Sequence, residues 1–311
     1  MRRHFLISNT LALLILCCFA RVRAAEPDAN SAGLDTSKIE QLTGLKGTFD
    51  AKEGVFKVSY PRADIQTSAA GVKLTPPMGL TCWVAFKNVG DHVMCMGDTV
   101  LTEDQVNAVM SAALDNGLEV TALHNHFFWD SPKVMFMHIG GSGDQEKLAT
   151  AVGKVYEVLK ATAGGKGEVA KADLDPAQTT LDPKKIDAVL GVKGALAKGV
   201  YRVTIGRTTQ MMGHEMGNQM GVNTWAAFVG SDDKAAVMGD FAMYENELQN
   251  VLKALRSHGI NIVAIHNHMT GEEPRVMFLH YWGIGSTADL AAGLKAALDT
   301  QGHEPTQTPK G

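Results

Sequence analysis

Hydrophobic and polar positions follow two different periods along this chain, one helical and one extended. Apolar residues recur at helical spacing at Val106, Val109 and Leu114, and a glycine ends the run soon afterwards. Thr102 followed by Gln105 is the pattern of a capping box at the start of that helix. Short β-rich runs lie on both sides of the helix. This part of the chain therefore predicts mixed α and β structure.

The second half of the chain repeats the same order of elements. A helical stripe runs from Leu248 through Leu255 and ends before Gly259. The predicted strands of this half are 200–206, 224–229, 235–238, 260–268 and 275–282, and the predicted closing helix is 288–298.

An internal duplication explains this recurrence. Trp-Val-Ala-Phe at 83–86 returns as Trp-Ala-Ala-Phe at 225–228, which is 142 positions later. His-Asn-His at 124–126 and Val-Met-Phe at 134–136 return with the same shift. We therefore predict an α+β protein of two tandem homologous modules, each with antiparallel strands and flanking helices, in a pseudo-twofold arrangement.

Composition sets the predicted module boundaries. A stretch rich in glycine and alanine at 161–180 dilutes the apolar pattern and predicts a linker. The first module then covers 25–160 and the second covers 181–301. The remaining residues, 302–311, have the composition of a flexible tail.

The N-terminus has the pattern of a secretory signal peptide. Two arginines precede an apolar stretch at 5–20, and Val-Arg-Ala at 22–24 resembles a small-residue cleavage site. We predict that residues 1–24 are removed and that the mature protein is periplasmic or secreted. Lipoprotein anchoring through Cys17 is disfavoured, because Leu16 stands where signal cleavage prefers a small residue.

Charge and hydropathy narrow the expected partners. The chain has a formal net charge of −4, and the predicted signal peptide would remove four arginines and no acidic residue. Nucleic-acid binding needs clustered lysine and arginine, so we exclude nucleic acid as a partner. The mature chain has no run of apolar residues long enough for a transmembrane helix.

Two cysteines, Cys82 and Cys95, remain in the predicted mature chain. A tight turn at 88–89, midway between them, would place them opposite each other on adjacent strands. They would then either form a disulfide in an oxidising compartment or remain two buried free thiols. Spacing alone leaves both outcomes open.

Two histidine triads carry the strongest chemical signal. His266 and His268 are two residues apart on a predicted strand, so their side chains leave the same face. A hairpin centred on Glu273 would place His280 directly opposite His266. Three converging imidazoles with one open position form a known site for a divalent transition metal, and zinc is the ion that we expect. The equivalent residues of the first half are His124, His126 and His138.

Acidic residues near the triads are candidates for proton transfer or for a fourth ligand. Glu103 and Glu245, at the predicted helix starts, are the candidate catalytic residues. Asp98 and Asp240, each just past a predicted strand, are further candidates. The alternative is that the histidines are hydrogen-bonding core residues, since a duplication copies a structural feature as faithfully as a functional one.

At these residues the sequence resembles the LppY/LpqO family of exported bacterial proteins. The resemblance lies in the Gly-Asp, Ala-Leu-His-Asn-His and Phe-Met-His runs, and the most specific segments are 222–228 and 266–275. It implies export and a duplicated module. It implies no reaction and supplies no catalytic residue.

Three functions follow from these observations. The first is an exported metal-binding protein, with metal-dependent hydrolase or lyase chemistry at a bound ion that activates water. The second is a non-catalytic envelope module that binds a small molecule or an envelope ligand through the histidines and Trp83, Trp225 and Trp282. The third is a structural envelope protein.

Overall fold

The computed structural model describes residues 32–167 and 169–302. The predicted signal peptide and all but the first residue of the predicted tail lie outside this part of the chain. The elements of the first half are α1 Thr36–Thr43, β1 Gly47–Asp50, β2 Val55–Pro61, β3 Ser68–Ala69, β4 Val72–Lys73, β5 Thr81–Asn88, β6 Val93–Thr102, α2 Val106–Asp115, β7 Glu119–His124, β8 Asp130–Ser131, β9 Val134–Gly143 and α3 Gln145–Ala161.

The second half repeats this series. Its elements are α4 Pro183–Leu190, β10 Ala195–Ala197, β11 Val200–Gly206, β12 Thr209–Met211, β13 His214–Met216, β14 Asn223–Gly230, β15 Ala235–Tyr244, α5 Leu248–Ser257, β16 Asn261–His266, β17 Val276–Gly285 and α6 Thr287–Asp299. Short 3-10 turns lie at Pro76–Met78, Pro176–Gln178, Asn218–Met220 and Glu245–Glu247.

Twelve strands from both halves form one continuous antiparallel sheet. Their order is β1-β2-β5-β6-β9-β7-β16-β17-β15-β14-β11-β10. The halves join where β7 pairs with β16 through Leu123 and Ile265, which are equivalent residues 142 positions apart. The predicted antiparallel strands and flanking helices of two modules are confirmed, and the two modules share one sheet.

The two faces of this sheet differ in what covers them. In β5, Cys82, Val84 and Phe86 are buried in the main hydrophobic core, which also contains the apolar residues of the helices. The residues that alternate with them, such as Trp83 and Ala85, leave the opposite face. Helices therefore pack on one face. Two small sheets, one of order β4-β3-β8 and one of order β12-β13, are separate from the large sheet.

Reciprocal side-chain contacts tie the halves together at the central strands. The Asn107 amide accepts from the Ile262 N–H at 2.7 Å and donates to the Ile262 carbonyl at 3.3 Å. The Gln249 amide makes the same two bonds with Val120, both at 2.9 Å. Asn107 and Gln249 are 142 positions apart, as are Val120 and Ile262. Each half thus satisfies backbone groups of the other half, next to an irregularity in the strand register.

The predicted capping box of α2 is only half formed. The Gln105 side chain accepts from the Thr102 N–H at 3.2 Å, as expected. The Thr102 hydroxyl instead donates to Asp104 at 2.6 Å. The acidic neighbour competes for the hydroxyl proton, so the second half of the predicted box does not form.

The predicted opposition of Cys82 and Cys95 is wrong. The β5–β6 hairpin turns at residues 89–92, so Cys95 pairs with Phe86, four residues from Cys82. That offset is roughly 13 Å along the strand, which is too far for a disulfide. Both cysteines are buried free thiols, and burial raises the pKa of Cys82 to about 11 and that of Cys95 to about 12.

The predicted linker, 161–180, begins at the last residue of α3 and includes the turn at Pro176–Gln178. The module boundaries around it stay a prediction. No helix among the described residues is long and apolar enough to cross a membrane.

Candidate functional site

The three histidines of the second-half triad, His266, His268 and His280, lie on the face opposite the helices. His266 ends β16, His268 lies in the following loop and His280 lies in β17. Phe278, rather than His280, pairs directly with His266. The predicted direct opposition is therefore wrong by two residues. His280 is instead the diagonal neighbour on the same face, with its ring centroid 4.6 Å from that of His266.

A loop contact accounts for this register. The Glu272 side chain accepts from the Val276 N–H at 3.1 Å and closes the 267–275 loop in front of β17. The pairing of His266 with Phe278 centres the connection on Glu272 and not on Glu273. A shift of one residue at the centre moves the opposing strand by two, which keeps the face and changes the partner.

Asp240 joins these histidines from the neighbouring strand. It pairs directly with His280 across β15 and β17, and only 4% of it is exposed. Its Oδ2 lies 3.2 Å from Nε2 of His268, and its Oδ1 lies 3.8 Å from Nδ1 of His280. Ligand atoms of Asp240, His266 and His268 all lie within 4.8 Å of one another. We call Asp240, His266, His268 and His280 the Asp240 cluster.

The electrostatics of the Asp240 cluster favour a bound cation. Burial raises the pKa of Asp240, and the surrounding histidine charges only partly oppose this. Burial also lowers the pKa of His266, so its neutral, ligating form is favoured at neutral pH. Asp240 Oδ1 and His266 Nδ1 are buried without a hydrogen-bond partner. Buried polar atoms in this state cost free energy that an ion would offset.

Stacking on an aromatic ring positions His268, which lies in the loop after β16. The His268 ring stacks on Phe278 with centroids 3.5 Å apart and planes 10° apart. Phe278 belongs to a small apolar cluster on this face with Val222, Ala242 and Val276. His268 is thus positioned over the strands although it lies beyond the end of β16.

The distances can be compared with those of a zinc site. Tetrahedral zinc with bonds of about 2.0 to 2.1 Å separates its ligand atoms by roughly 3.3 Å. The 3.2 Å between Asp240 and His268 fits one edge of that tetrahedron. His280 has its Nδ1 at 3.3 Å from the Gly239 carbonyl, so it would join as a fourth ligand only after a ring rotation.

The first half builds the equivalent set of side chains, the Asp98 cluster of Asp98, His124, His126 and His138. Asp98 pairs directly with His138, and the His124 ring lies 5.1 Å from His126 and 5.2 Å from His138. Burial raises the pKa of Asp98 and lowers that of His126. Asp98 Oδ1 is also buried without a hydrogen-bond partner.

The two clusters differ in how far they converge. Among the described residues, only the Asp240 cluster brings three ligand atoms within 4.8 Å. In the first half, Nδ1 of His124 faces the Asn125 carbonyl at 3.4 Å, whereas the stacking of His126 on Phe136 matches that of His268 on Phe278. The Asp98 cluster therefore needs more side-chain rotation before it can hold an ion.

The sheet register separates the two clusters. Because Leu123 pairs with Ile265, His124 lies opposite Ala264 and is a diagonal neighbour of His266, with Cβ atoms roughly 7 to 8 Å apart. The clusters centre on β9 and β17, which are three strand spacings or roughly 14 Å apart. Ions in a two-metal catalytic site lie only about 4 Å apart. The geometry therefore fits two mononuclear positions.

The predicted catalytic glutamates lie elsewhere. Oε1 of Glu103 lies 3.7 Å from Nζ of Lys133, and the Glu103 side chain is 66% exposed. Glu245 forms the matching pair with Arg275 at 3.3 Å and is 62% exposed. Neither glutamate belongs to the group of converging ligand atoms.

Asp98 and Asp240, and not the glutamates, are the acidic residues of the two clusters. A repeated sequence motif marks both aspartates. Met-Gly-Asp occurs in both repeats, at 96–98 and 238–240. We expected the second-half strand to end at Met238, but β15 continues to Tyr244. Asp240 therefore lies inside a buried strand, where a carboxylate is rarely found without partners for its oxygens.

The comparisons with known proteins agree with the duplication. The model of the family described as Domain of Unknown Function (DUF1259) matches residues 37–158 and matches again at 184–300. The protein is thus built from two copies of one domain. The chain belongs to this family.

Other comparisons add little. No curated protein matches the chain. Among solved structures, it is similar to the trimeric bacterial microcompartment shell protein PduB, at 10% identity and a TM-score of 0.20, over 83% of this chain and 94% of that one. A similarity at that TM-score supports no argument about this protein.

Proposed function

We propose that this protein binds a divalent transition metal ion, with zinc as the expected ion, through Asp240, His266 and His268. The observation that carries the proposal is the convergence of their ligand atoms within 4.8 Å. The buried and unpartnered Oδ1 of Asp240 supports it, because a cation would satisfy that atom. One carboxylate and two or three imidazoles form a donor set that zinc prefers.

The duplicated architecture supports a wider proposal. Asn107 bonds to the backbone of Ile262, and Gln249 bonds in the same way to the backbone of Val120. These equivalent contacts support a pseudo-twofold relation between the two copies. The Asp98 cluster would then be a second, less converged metal position. The pattern of residues 1–24 supports a periplasmic or secreted location, and the His-Asn-His runs support kinship with the LppY/LpqO family.

The chemistry that follows is hydrolytic or lyase chemistry at an open coordination position. A bound ion of this kind would lower the pKa of water or polarise a substrate oxygen. His280, whose side chain is 47% exposed beside Asp240, would hold or move a proton at Nδ1 when it is not a ligand. Glu103 and Glu245 remain candidates for acid–base roles only if a substrate spans the distance to them.

A zinc titration tests the binding proposal. In a background with His124→Ala and His138→Ala, only the Asp240 cluster of the mature chain is complete. We expect a further His266→Ala or His268→Ala to weaken zinc binding at least about 10- to 100-fold. Substitution of residues that only contact the ligands typically causes a loss of that size, and loss of a ligand should cost at least as much. The measurement is competition with a chromophoric chelator at pH 7.5.

His214→Ala is the matched control, because this exposed histidine of β13 lies outside the cluster. It should leave the zinc affinity unchanged. Equal affinities for the His268→Ala variant and its parent would contradict the proposed ligands. Absence of zinc binding in every form of the protein would favour the envelope ligand-binding module, with the histidines as stacked ring residues.

A further inference from the structure

The Asp240 cluster is closed on one side and open on the other. Toward the 267–275 loop, Met216, Tyr244 and Met269 pack against the apolar cluster that contains Phe278. A Cβ atom on Gly221 would lie 3.9 Å from Nδ1 of His268, so that chain segment also approaches the cluster closely. The opposite direction along the strands, toward Met238 and Trp282, therefore offers a ligand the more open approach.

Two large side chains form the surface on that open side. Met238 lies two residues before Asp240 in β15, and Trp282 lies two residues after His280 in β17. The two residues pair directly, which places their Cβ atoms roughly 4.5 to 5.5 Å apart on the same face. They are 48% and 39% exposed.

A cationic group borders the same surface. Trp225 pairs directly with Asp240, and the Arg202 guanidinium lies 4.2 Å from the centroid of its ring. Arg202 is exposed, so its outward N–H groups are available to an anion. A flat apolar surface, a cation and a cluster of metal-ligating atoms thus adjoin one another.

We propose that Met238 and Trp282 form a ring-binding shelf for a small aryl anion whose acidic oxygens reach the Asp240 cluster. This inference rests on the proposed metal site, since the ion would hold the anionic end. Arg202 supplies the second positive charge beside that end. The planar ring of the ligand lies against the Trp282 indole and the Met238 thioether.

The first half provides an internal comparison for the shelf. It keeps Met96, which is 61% exposed, and it keeps Trp83 with Lys57 at 4.1 Å from the ring centroid. At the position equivalent to Trp282, however, it has Gly140, which pairs with Met96. The ring-binding surface is therefore specific to the half whose metal ligands converge.

A pair of phosphonates tests the shelf on the zinc-loaded mature protein. Phenylphosphonate and methylphosphonate offer the same acidic group and differ in the ring. We expect phenylphosphonate to bind on the order of 10-fold more tightly, measured by calorimetry. Trp282→Ala and, separately, Met238→Ala should remove most of that preference and leave methylphosphonate binding unchanged. Met96→Ala, the matched change in the first half, should retain the preference.

The outcomes separate the shelf from the metal site. Zinc binding with equal affinity for the two phosphonates would overturn the shelf alone, as would a ring preference that survives Trp282→Ala. If zinc does not bind, the metal proposal fails, and the same pair is titrated on the metal-free protein with Arg202 as the anchor. A ring preference there that Trp282→Ala abolishes would support the shelf, and no preference would overturn it.

Discussion

Asp240→Asn is expected to change metal binding and stability in opposite directions. Asp240 is the one negatively charged member of its cluster, so we expect zinc affinity to fall at least about 100-fold, more than for a typical outer-shell change. The metal-free variant should nevertheless be more stable at neutral pH. Burial raises the pKa of Asp240, which means that the folded state penalises the ionised carboxylate. Zinc competition and thermal unfolding at pH 7.5 measure the two effects.

The pH dependence gives the sign of the stability effect. A raised pKa means that protonated Asp240 favours the folded state at low pH and that this advantage is lost as pH rises through the raised value. Asn at position 240 cannot ionise, so the gain in stability of the variant over the parent protein should be largest near neutral pH. That gain should disappear near pH 4. His268 keeps an acceptor in the variant, because the amide oxygen can replace the carboxylate at 3.2 Å.

Asp98→Asn is the matched control in the first half. Burial also raises the pKa of Asp98, so this variant should show a similar gain in stability without zinc. It should leave zinc binding at the Asp240 cluster unchanged. Retention of zinc affinity by Asp240→Asn within about 3-fold of the parent would contradict a ligand role, since loss of a direct ligand should exceed a typical outer-shell effect.

Periodicity and repetition predicted the elements well. The predicted strand 200–206 is β11, and the predicted closing helix 288–298 is α6 with one residue added at each end. These segments have regular apolar patterns, and such periodicity predicts a helix or strand without knowledge of distant residues. The same-face placement of His266 and His280 also followed from side-chain alternation within strands. His268 was predicted on the same strand as His266, but it lies in the loop beyond β16 and stacks on Phe278.

Features that depend on distant partners were not predictable in this way. The ends of β15 and the position of Asp240 inside it depend on pairing with β14 and β17, and glycine followed by aspartate looks like a strand end. The partner of His266 depends on how the 267–275 loop closes over Glu272. The pairing of β7 with β16 joins segments 142 positions apart, and no local pattern in either segment indicates its neighbour.

Loss of both central amides should weaken the whole protein, because the two halves share one sheet. Val120 and Ile262 are buried, so the double variant Asn107→Ala/Gln249→Ala leaves their backbone N–H and carbonyl groups without these partners. At about 1 to 3 kcal/mol for each unsatisfied group, we expect a loss of about 2 kcal/mol or more for each single variant and about 4 kcal/mol or more for the double.

Urea unfolding followed by circular dichroism measures this loss in free energy of unfolding. Asn116→Ala is the control, because the Asn116 amide donates to the Ala112 carbonyl within its own helix region, and it should cost less than about 1 kcal/mol. A double variant as stable as the parent would show that the β7–β16 pairing and the remaining contacts of α2 with α5, such as the Arg256–Ser111 hydrogen bond, hold the halves together. The expected loss would instead mean that helices α2 and α5 fix the relative position of β7 and β16. Those strands carry His124 and His266, so the same contacts would set the spacing of the two clusters.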